Sequence, residues 1–467
     1  MVHEEMKQDQ NLPVKAEAYV YEDKLKNESH GLPEKHFVQR ESLITVLFEN
    51  QHLKTIHHIS ASLFLGLVVT TIARDYVEKR EIVSGFRLIQ SGFGKLPIAL
   101  AGWVLHFCLT CSIYFFFEIW SQVRCKLNIP KSNVRKIWDY TGVAILLGYY
   151  IFSFKLAAYI VQTYQLSPAS AAIILIEQTR MLMKVHAFVR SNIPKVFKYK
   201  EKSDEKLILP TFRHYVYFIL VPTLVYRDEY PRTSKVRWRV VATHGLEILA
   251  VLIFYSFVME RFLIPQYKDF GIEKFTYAQV FLMFLETSFP GVLYLLSTFY
   301  LVLHLVQNFF AEILQFGDRM FYKDWWTSTD FTTWYRTWNV VVHDWLYTYI
   351  YKDCYEILFP KNKNIAKVTT FFISAIVHEW ILMHMFGFLF PVLFFLFFIL
   401  SIQFTHLRAP KNSILNILFW MSLSFGPGIM ISGYTLEFFA RYNNVPPFIE
   451  DFDFIFQDLL PVIVISD

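Results

Sequence analysis

The chain reads as an all-α protein that crosses a membrane eight or nine times, and three observations carry that reading. Hydrophobic residues make up 54% of the 467 residues and charged residues only 18%, whereas soluble chains are usually about a quarter charged. The apolar residues gather into runs of about 20, the length needed to cross a bilayer. The charged residues lie mostly between those runs.

Taken in order, residues 1–40 are rich in Glu, Lys, Asn and Gln. Such a segment cannot bury a core and is expected to be a disordered cytosolic tail. It has no apolar stretch near its start, so a cleavable signal peptide is not expected and the first span would lead the chain into the membrane. Arg40 to Lys54 reads as a short surface helix with Leu43, Leu47 and Phe48 on one side. Candidate spans follow at 55–74, 96–120, 138–162, 212–226, 238–262, 277–303, 366–386, 387–406 and 412–438. The fourth is the weakest, because Pro222 and the cluster Arg227-Asp228-Glu229 limit it. There is no internal repeat, so residues 41–445 form one multi-span domain and 446–467 a tail.

Two further segments have helical periodicity but are too polar for ordinary spans. In 168–193, Glu177, Arg180 and Lys184 lie opposite Ile173, Ile176 and Met183. In 331–352, apolar groups recur at 331, 334, 335, 338, 342, 345, 346 and 349, a stripe of helical period. Arg336, Asn339 and His343 would then share the opposite face. Such a helix could lie in the interface or line a cavity with its polar side. A third polar stripe, His304, Asn308, Glu312 and Gln315, is expected either to line the same cavity or to be the wet end of a long helix.

The net charge of +5 is modest and gives no reason to expect a nucleic-acid partner. Of the four cysteines, Cys108 and Cys111 are spaced CxxC, but no second pair follows at zinc-site spacing. A metal site is therefore not expected.

The chemistry is carried by Val377-His378-Glu379, set inside an apolar run. Ionisable residues at bilayer depth are functional candidates by default. An imidazole kept neutral by desolvation is available as a general base near neutral pH. On a helix, Glu379 points about 100° from His378 and would pair elsewhere. The Asn339 amide can donate to a carbonyl oxygen on which negative charge develops. His and Asn without an activated Ser or Cys suggest direct attack by a substrate hydroxyl. The bland alternatives are a histidine that only bonds between helices and an interfacial belt of Trp325, Trp326, Trp334, Trp338 and Trp345.

Several long motifs then occur in a familiar order. Phe321-Tyr322-Lys323-Asp324-Trp325-Trp326, Tyr335 to Trp345, Val377-His378-Glu379 and Pro222 to Pro231 resemble the sterol O-acyltransferase branch of the membrane-bound O-acyltransferases. The resemblance runs from about residue 37 to residue 445. It implies nine membrane helices around a central reaction chamber in the endoplasmic reticulum membrane. It implies long-chain acyl-CoA as co-substrate with no further cofactor, a sterol drawn from the bilayer lipids, and a homodimer or homotetramer. His378 matches the family's catalytic histidine, Asn339 its partner, and Trp338 would shape the site. Arg336, His343, Tyr351, Lys363 and Ser374 match the residues on the CoA side. The chain departs from the pattern at Thr327, where the family has Asn, and in lacking paired cysteines near its end. The competing expectations are diacylglycerol acylation in a neighbouring branch and a non-catalytic lipid transporter or sensor.

Overall fold

A computed structural model describes residues 33–80, 86–127, 133–199, 207–272, 275–405 and 413–444. Most of the expected N-terminal tail and the C-terminal tail lie outside them. Among the described residues the architecture is helical, with only two isolated β-bridges, Arg40 to Asp318 and Arg232 to Phe316.

Among the described residues, seven helical stretches are long and apolar enough to cross a membrane: Gln51–Glu78, Leu88–Lys126, Asn133–Thr163, Trp238–Tyr267, Tyr277–Ile313, Lys363–Phe386 and Ile414–Asn444. Three of them start on side-chain caps. Asn50 accepts from the His52 N–H, Thr276 forms a capping box with Gln279, and Asn362 accepts from the Ile365 N–H. Each supplies an acceptor to a first-turn N–H that has no partner within its own helix.

The other two candidate spans are corrected. The 212–226 segment is helical only over Phe212–Leu220, because Val221 turns extended ahead of Pro222. The 387–406 segment shortens to an apolar helix at Val392–Phe404. Gly387 ends the preceding helix at φ 80° and Pro391 precedes the next. At 1.5 Å per residue, that helix reaches about 20 Å, well short of a bilayer core of about 30 Å.

The polar 168–193 segment is one helix, Pro168–Lys198, largely buried against the Leu96–Lys126, Asn133–Thr163 and Lys363–Phe386 helices. Its charged stripe closes the end of the Phe212–Leu220 helix. The Lys184 ammonium donates to the carbonyls of Phe218, Ile219 and Val221, and Arg180 donates to Ile219 at 2.7 Å. Glu177 accepts from Arg180 and from the Trp103 indole. Two cations thus satisfy carbonyls that the helix cannot pair itself. The stripe is structural.

The segment ahead of the first span is a strap rather than a surface helix. Only Leu43–Leu47 is helical, and Arg40 and Ser42 are buried. Arg40 grips Asp318 with two bonds of 2.8 and 3.0 Å, while Glu41 meets Arg237 and Arg319. The same two arginines bind the fully buried Glu312. Lys35 reaches Asp344 at 3.0 Å. Burial alone would raise the Asp344 carboxyl, but Lys35 and His343 outweigh it and hold it at about 2.

Farther along, two helices meet backbone to backbone. A Cβ on Gly291 would lie 2.6 Å from the Gly428 nitrogen, and one on Gly428 would lie 2.8 Å from the Ser288 Cα. Small residues are what allow such close approach between helices in lipid. Gly428→Val should therefore cost about 1–3 kcal/mol by overpacking. Gly66→Ala, with nothing within 4 Å of the new carbon, should be neutral. Thermal unfolding in detergent, followed by size exclusion, compares the two. In the strap, Arg40→Met removes the counter-charge of a buried carboxylate and should cost about 3–5 kcal/mol by the same assay.

Candidate active site

The continuous 331–352 helix expected from periodicity is broken. Phe331–Trp338 ends at Asn339, whose backbone sits at φ −134° and ψ 85°, and a second helix runs Val340–Trp345. Asn339 causes the break and benefits from it. Its Oδ1 accepts from the Val342 N–H at 3.1 Å, capping the second helix. Short polar side chains favour caps over helix interiors for this reason. The Val340 N–H is taken by the Phe321 carbonyl and the Thr337 carbonyl by the Lys323 N–H. The Phe321-Tyr-Lys stretch is thereby stitched to the break. The cap also orients the amide. With Oδ1 committed to the helix, Nδ2 is the free end, and it makes no hydrogen bond among the described residues.

His378 has the same division. It sits in the Lys363–Phe386 helix, and its Nδ1 donates to the Ser374 carbonyl at 2.7 Å. A carbonyl can only accept, so Nδ1 carries the proton and Nε2 keeps its lone pair. The ring is exposed in this structure. Phe397 packs against it at 5.1 Å.

No hydrogen bond or ring contact joins His378 directly to Asn339 among the described residues. The connection runs through Phe397, which also meets Tyr335, one turn before Asn339, at 5.8 Å. Tyr335 in turn packs on Phe371 of the histidine helix at 5.3 Å. Trp338 is wedged among Trp325, Trp334 and Phe299 at 4.7 to 5.2 Å. Thr327 keeps its turn through Oγ1, which donates to the Asp324 carbonyl at 2.7 Å.

Three of the residues matched to the CoA side come together. His343, Tyr347, Tyr351 and Tyr355 form a stacked ladder with centroids 5.6 to 6.3 Å apart and planes within 14°. Arg336 lies within electrostatic reach of Tyr347, Tyr351 and Lys367. Lys363 is exposed in an open notch lined by Pro360 to Asn364. Ser374 is buried, and its carbonyl holds His378. Lys367, one turn after Lys363, and the ladder's Tyr347 and Tyr355 were not singled out from sequence. Helical spacing from Lys363 and His343 was the available signal.

His304 and Asn308 bond neither His378 nor Asn339 among the described residues. Both are buried. His304 Nδ1 meets the Tyr322 hydroxyl at 2.7 Å, and Asn308 Nδ2 donates to the Ser42 hydroxyl at 3.0 Å. They fasten the strap to the Phe321-Tyr322 motif. Glu312 of the same stripe is buried too, and Gln315 is half-buried.

A family model described as MBOAT, membrane-bound O-acyltransferase family, matches residues 134–436. The chain belongs to that family. It is 40% identical to sterol O-acyltransferase 1 of Mus musculus over 412 residues, 87% of this chain and 75% of the relative. It is 39% identical to sterol O-acyltransferase 1 of Cricetulus griseus over 416 residues, with 87% and 74% covered. Sterol O-acyltransferase 2 of Homo sapiens is 35% identical over 414 residues, with 87% and 76% covered. The matched family region of this acyltransferase contains both half-committed side chains, Asn339 and His378.

Asn339→Asp separates the two duties of the asparagine. Aspartate caps a helix as well as asparagine does, but it has no amide donor. The variant should fold normally and lose about 10²–10³ in kcat. Asn339→Ala should lose the donor and also about 1 kcal/mol of stability. Steady-state kinetics alongside thermal unfolding of the purified variants separates the effects.

Proposed function

We propose that the protein transfers a long-chain acyl group from acyl-CoA to the 3β-hydroxyl of a sterol. The reading rests on one observation above all. The polar side chains at His378 and Asn339 each spend one atom on their own backbone and leave the complementary atom free. His378 offers a lone pair at Nε2, and Asn339 offers an N–H at Nδ2. A base and an oxyanion donor are what direct acyl transfer requires.

In this reading, the sterol hydroxyl gives its proton to Nε2 as its oxygen attacks the thioester carbonyl. The carbonyl oxygen becomes an oxyanion and accepts from Asn339 Nδ2. The tetrahedral adduct collapses to the ester, the C–S bond breaks, and the CoA thiolate recovers the proton from Nε2. No covalent intermediate on the protein is needed. Arg336, Lys363 and Lys367 supply cationic charge suited to the CoA phosphates, with His343 and Tyr351 in the adjoining ring ladder. The names of the relatives support the sterol as acceptor. Residence in the endoplasmic reticulum membrane and a homo-oligomeric state belong to the same proposal and rest on the family resemblance.

The test uses membranes from cells lacking their own acyltransferases, expressing the chain or its His378→Ala variant. Labelled oleoyl-CoA is supplied with cholesterol or diacylglycerol. Label is expected in steryl ester and should be lost in the variant at equal protein level. Label in triacylglycerol would move the acceptor to diacylglycerol. Steryl ester made at the normal rate by His378→Ala would overturn the base, and no label in any ester would leave a transporter or sensor as the better reading.

A further inference from the structure

The short apolar helix Val392–Phe404 touches both arms of the site, and its two ends are fixed by different partners. At its start, the Glu379 carboxylate accepts from the Phe394 N–H at 3.1 Å. The Tyr434 hydroxyl donates to the same carboxylate at 3.0 Å and accepts from the Leu393 N–H at 3.4 Å. Glu379 and Tyr434 are both buried. They supply acceptors to first-turn N–H groups at the positive end of the helix. Phe397, one turn later, lies on the His378 ring. At the far end, the Ser401 hydroxyl bonds the Tyr335 hydroxyl, and Phe404 stacks on Phe331 at 4.8 Å. Tyr335 and Phe331 belong to the helix that ends at Trp338 and Asn339.

Glu379 follows His378 in sequence but points away from it, so it is not placed to share a proton with the ring. It anchors the helix that packs on the ring. We infer that Val392–Phe404 is the spacer that sets the separation of His378 and Asn339, and that Glu379, with Tyr434, is a positioning residue acting through it. Loss of the anchor lets Phe397 shift and the two reacting groups drift out of register. An error of about 1 Å can cost on the order of a hundredfold in rate. The inference rests on the proposed roles of His378 and Asn339.

The experiment measures kcat and KM for Glu379→Ala, Glu379→Gln, Tyr434→Phe and Ser401→Ala in purified full-length protein, with monodispersity as the folding control. Glu379→Ala should lower kcat by about tenfold to a hundredfold, with KM for acyl-CoA within about twofold. Glutamine can keep both contacts. Its carbonyl accepts from Phe394, its amide donates to Tyr434, and the hydroxyl turns to suit. Glu379→Gln should therefore stay within about threefold of wild type. Combining Glu379→Ala with Ser401→Ala should lose less than the product of the single losses, because both free the same helix.

Wild-type kcat in Glu379→Ala would overturn the inference. So would a glutamine variant as impaired as the alanine one, which would mean the carboxylate charge itself is used, or a raised KM with kcat intact. If Glu379→Ala does not fold, Tyr434→Phe and Ser401→Ala carry the test, and full activity in both would overturn it. Failure of the acyl-transfer reading is distinguishable, since it appears in the wild-type protein as absence of ester.

Discussion

A buried polar atom needs a partner, and this constraint shapes much of the molecule. Leaving one unpaired in an apolar surrounding costs several kcal/mol. The protein meets the constraint at several buried charges. Lys184 and Arg180 close the end of the Phe212–Leu220 helix, Glu312 is held between two arginines, and Glu379 is shared by Tyr434 and the Phe394 N–H. His378 Nε2 and Asn339 Nδ2 make no hydrogen bond among the described residues, as is true also of His384 Nε2 on the same helix as His378 and of the buried His186 Nε2. His378 and Asn339 are each held in orientation by a bond to their own backbone, so little reorganisation is needed when a substrate arrives. Preorganised groups of this kind account for much of the stabilisation an active site gives a transition state.

In the proposed mechanism, the surrounding elements set the separation of those two atoms. The strap from Lys35 to Leu47 binds Asp318, Arg319 and Asp344, on either side of the Phe321-Tyr322 motif and the Asn339 break. Tyr322 is further tied to His304. On the other arm, His378 is backed by Phe397, whose helix spans to Tyr335. Two arms, each braced by buried charge or close ring packing, carry the two side chains.

Much of this was legible in the sequence. Apolar run length found the seven long helices, and a histidine inside such a run marked the proposed base. Motif order supplied Asn339. The misreadings have physical causes. The stripe through 331–352 keeps its phase across Asn339, so periodicity could not reveal that the side chain breaks the helix and caps the next one. Run length overcounted spans at 212–226 and 387–406, where Pro222, Gly387 and Pro391 end helices inside apolar sequence. The polar stripes at 177–184 and 304–312 were visible in the sequence, but neither their burial nor their partners were. Those partners lie far away in sequence, as Tyr434 does from Glu379, and only the fold brings them together.

The most direct test of the central claim is a structure of the protein with a sterol and a non-hydrolysable acyl-CoA analogue that keeps the carbonyl, such as a methylene ketone. The account predicts the sterol hydroxyl about 3 Å from His378 Nε2 and the ketone oxygen about 3 Å from Asn339 Nδ2, with Nδ1 still on the Ser374 carbonyl. A sterol oxygen bound away from Nε2, or an Asn339 amide turned so that its oxygen faces the ketone, would contradict it.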